Sequence, residues 1–152
     1  MQIEIKEISF EEILEVWAKK LWPGRIAVIE PVSAINQNGL IDCKILDFEA
    51  FFFGAYLKNE LVGVISTHLT EENVYRLRGI YVDEKHRGLK IGTQLIEHVL
   101  QFAQNKLAKS LWALVRHKNK NYFETAGFQI HQNIHTYEFG PHYIMTKTLI
   151  RL

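Results

Sequence analysis

Gly79-Ile80-Tyr81-Val82-Asp83-Glu84-Lys85-His86-Arg87-Gly88-Leu89-Lys90-Ile91-Gly92-Thr93-Gln94-Leu95-Ile96 is the stretch on which the fold turns. It reads as the end of an apolar strand, a charged turn, a glycine-bearing loop and the start of an amphipathic helix. A helix N-terminus leaves its first backbone N–H groups without intrahelical partners, and the positive end of the helix dipole points the same way. Such a loop presents donors to an anion, and we read it as a seat for the pyrophosphate of a nucleotide cofactor. Plain strand-to-helix connections share the Gly-X-X-X-Gly spacing, so the reading needs support from the rest of the chain.

At 152 residues, 47% of them hydrophobic and 23% charged, the sequence predicts a single domain over 1–152 with enough apolar material for a core. No apolar run approaches the ~18 residues of a membrane span. Met1 to Glu7 lacks the basic-then-apolar layout of a secretory signal. Cys43 is the one cysteine, which excludes an internal disulfide and fits a reducing compartment, so a cytoplasmic protein is expected. A net charge of +1 argues against a nucleic-acid partner. Any anion must be caught locally, and Lys85, His86, Arg87 and Lys90 make the densest place to catch one.

Upstream, Gln2 to Glu7 alternates Ile3 and Ile5 with polar neighbours and predicts a first strand. Ser9, with Glu12 three positions on, forms a capping box that opens a helix. Phe10, Ile13, Leu14, Trp17 and Leu21 share one face of it, and Leu21-Trp22-Pro23-Gly24 stops it. Arg25 to Leu46 carries Pro31, Asn36-Gln37-Asn38-Gly39 and Asp42, and predicts loops with at most a short helix. A long irregular segment is often functional, so this one is a candidate substrate loop. Its candidate substrate-binding side chains are Trp22, Arg25 and Glu30; Arg25 suits a carboxylate and Glu30 an amine. The competing reading leaves them as surface residues, with Trp22 tucked into the core.

Phe51–Leu57 and Leu61–Leu69, joined by Lys58-Asn59-Glu60, predict a hairpin covered on at least one face. Val74 to Val82 adds a third strand, in which Gly79 signals a bulge or a close approach. Ile91, Leu95, Ile96, Val99, Leu100, Ala103 and Leu107 form the stripe of a long helix. Ser110 to Val115 is a buried strand, parallel to its predecessor because a helical crossover joins them. A short helix covers about Lys118 to Thr125 and stops at Ala126-Gly127. Gln129–Phe139 and Tyr143–Leu149 make a final antiparallel pair turned at Gly140-Pro141, and the edge of that pair is a candidate homodimer surface.

This order of elements resembles the GNAT acetyltransferase superfamily, and two motifs carry the likeness. The first is Ile80-Tyr81-Val82 followed by Arg87-Gly88-Leu89-Lys90-Ile91-Gly92, similar to the family's Leu-Tyr-Val and Arg-Gly-X-Gly-X-Gly or Ala. The second is Arg116-X-X-Asn119-X-X-Tyr122-Phe123-Glu124-Thr125-Ala126-Gly127-Phe128, similar to Asn/Arg-X-X-Ala-X-X-Phe/Tyr-Tyr-Glu-Lys-Leu-Gly-Phe. The likeness is good from about residue 50 to 128. Ahead of that it rests on element order alone. It implies an α/β fold: a central, mostly antiparallel twisted sheet with one splayed parallel pair and flanking helices.

It also implies an N-acetyltransferase that moves an acetyl group from acetyl-CoA to a primary amine, on a small molecule or a peptide. The alternative is a non-catalytic acyl-CoA-binding module of the same fold. By the resemblance, backbone groups of Ile80, Tyr81 and Val82 pair with the pantetheine arm like an added strand. Arg87, Gly88, Leu89, Lys90, Ile91, Gly92 and Thr93 wrap the pyrophosphate, while Arg116, Asn119 and Phe123 lie along the rest of the coenzyme. The sequence departs from the family at two places. Lys90 replaces the loop's middle glycine, at a cost of about 1 kcal/mol if the backbone there is left-handed. Phe123 replaces the tyrosine that protonates the departing thiolate in many members. Tyr122, about 100° round the helix, is expected to turn to the core. Tyr137, His142 and Tyr122 are the remaining catalytic candidates, and Glu30, Glu71 and Glu72 are candidate bases. His131 and His135 lie ~13 Å apart on a strand, too far to share a metal, so no metal is expected.

Overall fold

The computed structural model describes residues 2–134 and 142–149. Strand β1 (Glu4–Ile8) leads into α1 (Phe10–Val16), whose capping box is complete: Ser9 Oγ accepts from the Glu12 N–H, and the Glu12 side chain accepts from the Ser9 N–H. The helical run continues to Leu21 as expected, but Trp17–Leu21 widens to a π-turn in which the Trp22 N–H donates to the Trp17 carbonyl at 2.7 Å. Residues 25–48 are irregular apart from an isolated Ile35–Ile41 bridge and one 3-10 turn, Cys43–Asp47.

The hairpin is β2 (Ala50–Leu57) and β3 (Glu60–Glu71). Its two-residue turn puts both Lys58 and Asn59 at positive φ, the geometry whose twist matches that of the strands it joins. β4 (Val74–Val82) completes the meander, α2 (Ile91–Asn105) crosses over, and β5 (Ser110–Arg116) returns parallel to β4. A 3-10 turn at His117–Asn119 precedes α3 (Lys120–Thr125), so the last helix starts two residues later than expected. β6 (Gln129–Ile134) and β7 (His142–Thr148) close the sheet, whose order is β1-β2-β3-β4-β5-β7-β6. β7 lies inside and β6 takes the edge. Tyr137, His135 and the Gly140-Pro141 turn fall outside the described residues.

Strand alternation sends side chains to two different layers. One face, with Phe53, Ala55, Ile65, Tyr75, Leu77 and Val115, packs on the stripe of α2, and each fully buried aliphatic side chain there contributes about 1.5–3 kcal/mol. The other face carries Phe52 and Val64 under α1 and Trp17, and farther along Val74, Trp112 and Ile144 against Ile35. Between these apolar patches the second face is polar: Ser66, His68, Thr70, Arg76 and Arg78 are all buried. Trp17 is 0% exposed, and its indole N–H donates to the Gly79 carbonyl at 2.8 Å.

Gly79 has φ +70°, and a Cβ there would overlap the Trp17 ring. Gly79→Ala combines left-handed strain with overpacking, so the expected loss is about 3 kcal/mol. Urea unfolding measures it, and a loss below about 1 kcal/mol would show that β4 does not need glycine there.

Candidate active site

The site is opened by a bulge. Arg78 faces Ser66 and Tyr81 faces Val64, so Gly79 and Ile80 together oppose Ile65. A bulge bends its strand and sharpens the twist. The parallel ladder between β4 and β5 runs from Val74–Ser110 to Leu77–Ala113 and no further, although β4 continues to Val82 and β5 to Arg116. The two strands therefore part, leaving Gly79 to Val82 on one wall of a cleft and Leu114 to Arg116 on the other.

The expected anion loop follows that wall. The Asp83 N–H donates to the Val62 carbonyl at 2.9 Å, and the chain turns through Glu84–His86. Gly88 has φ +84° and Lys90 φ +63°, so Lys90 does occupy the left-handed conformation that makes a lysine costly. No side chain caps α2 and its first turn holds no acidic residue, so the positive helix end is open toward the loop. Arg87 Nε donates to the Val82 carbonyl at 3.0 Å, with its guanidinium 5.4 Å from the centre of the Tyr81 ring.

The two aromatic residues of α3 stand the other way round from the expectation. Phe123 is 4% exposed and stacks edge-on against Phe128, inside the main core. Tyr122 is 40% exposed and lies over Gly92, its hydroxyl 3.2 Å from Thr93 Oγ1. Burial raises the Tyr122 pKa and the Thr93 hydrogen bond opposes that rise, so the phenol keeps its proton at neutral pH. A helix of one and a half turns takes its rotation from the surface it packs on, and Phe128 supplies that surface to Phe123.

Across the cleft, on the sheet's second face, the residues singled out in the irregular segment come together. The Trp17 and Trp22 rings are 5.1 Å apart. Arg25 lies 4.9 Å from the Trp22 ring centre, and Arg78 lies 5.3 Å from that ring and 5.0 Å from Trp17. Arg78 Nη1 donates to the Glu30 carbonyl at 2.8 Å. Arg116 was expected beside the coenzyme; it points instead to this face, where Nη2 donates to the Leu21 carbonyl at 3.1 Å. His142 is buried and sits directly across the β5–β7 ladder from Arg116. Glu71 is far away, at the Val74 end of β4, where it accepts from Gln37 at 2.7 Å.

The arginines crowd one another. Burial holds the Arg78 pKa well below its usual value, Arg76 and Arg25 push it further down, and Glu30 opposes them. Burial, then Arg76, also drives His68 to a pKa of about 3. Its Nδ1 faces the Leu69 carbonyl at 2.9 Å and its Nε2 faces the Ser33 N–H at 3.4 Å, so neutral His68 donates through Nδ1 and accepts through Nε2. Arg76, Arg78 and Trp17 escaped the sequence reading as site residues. The usable signal was two arginines at i and i+2 of an otherwise apolar strand, which must share a face.

Residues 14–128 match the model of the Acetyltransferase (GNAT) family. The chain belongs to that family. It is therefore an acyltransferase, consistent with a 30% identical Bacillus subtilis (strain 168) relative named as the uncharacterized N-acetyltransferase YitI, where the match covers 97% of each chain. Among solved structures, Ard1 from Thermoplasma volcanium superposes with a TM-score of 0.73 at 19% identity, over 99% of this chain and 100% of that one. An aminoglycoside 6'-N-acetyltransferase complexed with coenzyme A gives 0.72 at 16% identity, over 98% of each chain. Both share the fold of this GNAT chain. Among the described residues, no group of three or more His, Cys, Asp or Glu could hold a metal ion, and no helix is long and apolar enough to cross a membrane.

Two outcomes follow from this geometry. The unfolded chain protonates His68 near pH 6.5 and the folded chain only near 3, so the contribution of neutral His68 is whole above that window and shrinks as pH falls through it. Between pH 7 and 4 the loss is about 3 kcal/mol, read as the difference in urea stability between wild type and His68→Gln. Equal pH slopes in the two proteins would remove His68 from the acid limb. Lys90→Gly should raise stability by about 0.5 kcal/mol, because relief of left-handed strain exceeds the added entropy of a glycine. A loss of stability would mean that the lysine side chain holds the loop.

Proposed function

We propose that this protein acetylates a primary amine, with acetyl-CoA as donor, by direct attack of the amine on the thioester. The observation that carries the reading is the opening between β4 and β5 beside an uncapped helix N-terminus, in a chain of this family. Backbone groups from Ile80 to Val82, which have no β5 partner, would pair with the pantetheine arm and orient the acyl carbonyl. The main-chain N–H groups of residues 87–93 and the charges of Arg87 and Lys90 would hold the pyrophosphate. Acetyl-CoA supplies an activated acyl group, and the protein supplies position and proton handling.

The amine enters from the face that carries Trp22, Arg25, Arg78 and Glu30. Its nitrogen forms the new C–N bond, the C–S bond breaks, and the amine's proton must leave while the thiolate gains one. His142 is the group we assign to the acceptor side, because it is buried across from Arg116 at the end of β7 nearest the opening. Tyr122, a protonated phenol at the mouth of α2, is assigned to the coenzyme side. Residues 1–152 would act as one domain, and the lone exposed Cys43 suits the reducing cytoplasm.

Incubation with acetyl-CoA and a panel of amines should release free thiol in step with N-acetylated product, and calorimetry should register coenzyme A binding. Gly88 sits at φ +84° with open space around it, so Gly88→Val distorts the loop without disturbing the core. It should weaken coenzyme A binding about tenfold or more while leaving thermal unfolding near wild type. Unchanged affinity would place the pyrophosphate elsewhere, and no coenzyme A binding by wild type would overturn the reading.

A further inference from the structure

Arg25 from the irregular segment, Arg78 from β4 and Arg116 from β5 converge on the Leu21–Trp22 corner, although they are far apart in sequence. Trp22 lies against two of the guanidinium groups at once, each about one ring contact away. Gathering cations in a desolvated place is unfavourable unless an anion joins them. Arg78 is 4% exposed, and the partners it has are neutral: the carbonyls of Glu30 and Pro31 and the faces of two indoles. Arg25 Nε is buried and makes no hydrogen bond. Neither forms an ion pair with a described carboxylate; the described pairs all belong to lysines and to His86. The Glu30 carboxylate favours the charged form of Arg78, but it is exposed on the rim.

Position agrees with this electrostatic demand. Trp22 and Arg25, with Leu14, Ala18 and Ile29, border an open depression of about 300 Å³; Arg78 lies outside that lining, 5.3 Å from the centre of the Trp22 ring. Arg78 is the residue immediately before Gly79, where the cleft for the acyl group begins. An anion held on Arg78 thus leaves the other end of a short molecule within a few bonds of the reacting carbonyl. Glu30, beside Arg78 and opposite in charge, is placed to draw an ammonium group toward that end. Arginine is also the residue suited to the job, since its planar fork matches carboxylate and phosphate oxygens.

We propose that the acceptor is a small primary amine carrying a carboxylate or phosphate, held by Arg25 and Arg78 against Trp22. This rests on the acetyl-transfer reading and adds the acceptor's chemical class to it. A purely structural role would have the arginines tie the irregular segment to the sheet through the Glu30, Pro31 and Leu21 carbonyls, and would confer no preference among ligands.

Matched probes separate these roles. Glycine and glycinamide differ only in the carboxylate; O-phosphoethanolamine and ethanolamine differ only in the phosphate. Each is titrated into the coenzyme A complex while tryptophan fluorescence and thiol release are followed. At least one anionic member should be bound and acetylated about tenfold more effectively than its neutral counterpart, the size of one charge-assisted hydrogen bond. Which pair shows the gap tells carboxylate from phosphate. Arg25→Met, on the loop and outside the core, should abolish the gap with coenzyme A affinity unchanged, and Arg25→Lys should restore part of it. If wild type binds coenzyme A and treats both members of both pairs alike, the proposal is overturned and acetyl transfer still stands. A gap that survives Arg25→Met overturns the assignment of Arg25. Failure to bind coenzyme A removes both readings together.

Discussion

The contact between the Trp17 indole and the Gly79 carbonyl is the constraint on which the rest of the molecule depends. A parallel pair of strands in mid-sheet would ordinarily run together for its full length, leaving no backbone group for a ligand. Here two residues of β4 stand against one of β3, and β4 swings away from β5 after Leu77. The bulge requires positive φ at Gly79, and a fully buried ring fills the space where a side chain would otherwise project. Trp17 can reach that point because the end of α1 is wound as a π-turn, a distortion that costs helix geometry and recurs at functional sites. Helix, ring and bulge are thus one device, and each part loses its reason without the others.

The same device divides the electrostatics. On the loop side, the open end of α2 with Arg87 and Lys90 faces whatever runs up the outer wall of β4. On the opposite face, Arg25, Arg76, Arg78 and Arg116 occupy ground that an ordinary domain would fill with aliphatic side chains. Of the six arginines in the sequence, four meet on this face and a fifth lies in the loop. A formal charge of +1 hides this segregation entirely. His68 lies beside them, and burial, with Arg76 and then Arg78 adding to it, holds its ring neutral down to about pH 3. Its neutral ring in turn anchors Ser33 of the irregular segment, so the charge pattern helps to fix the loop above it.

Much of the fold was legible because its signals were local. The capping box at Ser9, the period of α2, the crossover that makes β4 and β5 parallel, and the loop from Arg87 to Gly92 each follow from spacing within a few residues. The two motifs added the family. What escaped depends on which parts of the chain meet in space. Trp17 fits a helix stripe, and nothing near it in sequence announces that its N–H ends on Gly79, 62 residues away. Arg116 follows an apolar strand, and its direction is set by strand parity together with the position of Leu21. Tyr122 and Phe123 exchanged their expected places because α3 is too short to carry a periodic signal of its own, and its rotation comes from Phe128.

That exchange bears on the chemistry. Had Phe123 faced the opening, the site would present a hydrocarbon where a departing thiolate needs a proton. With Phe123 in the core, the phenol of Tyr122 stands instead at the mouth of α2, held by Thr93 over a glycine that alone leaves room for it. Gly92 is therefore explained by the tyrosine above it as much as by any phosphate, since its φ is not among the left-handed ones. Under the proposed function, the departure from the family's tyrosine would be a shift of one residue along α3, with room made for it at Gly92. In the proposed acetyl transfer, a hydroxyl at this end of the cleft and a histidine at the other would put the two proton transfers on separate faces of β4.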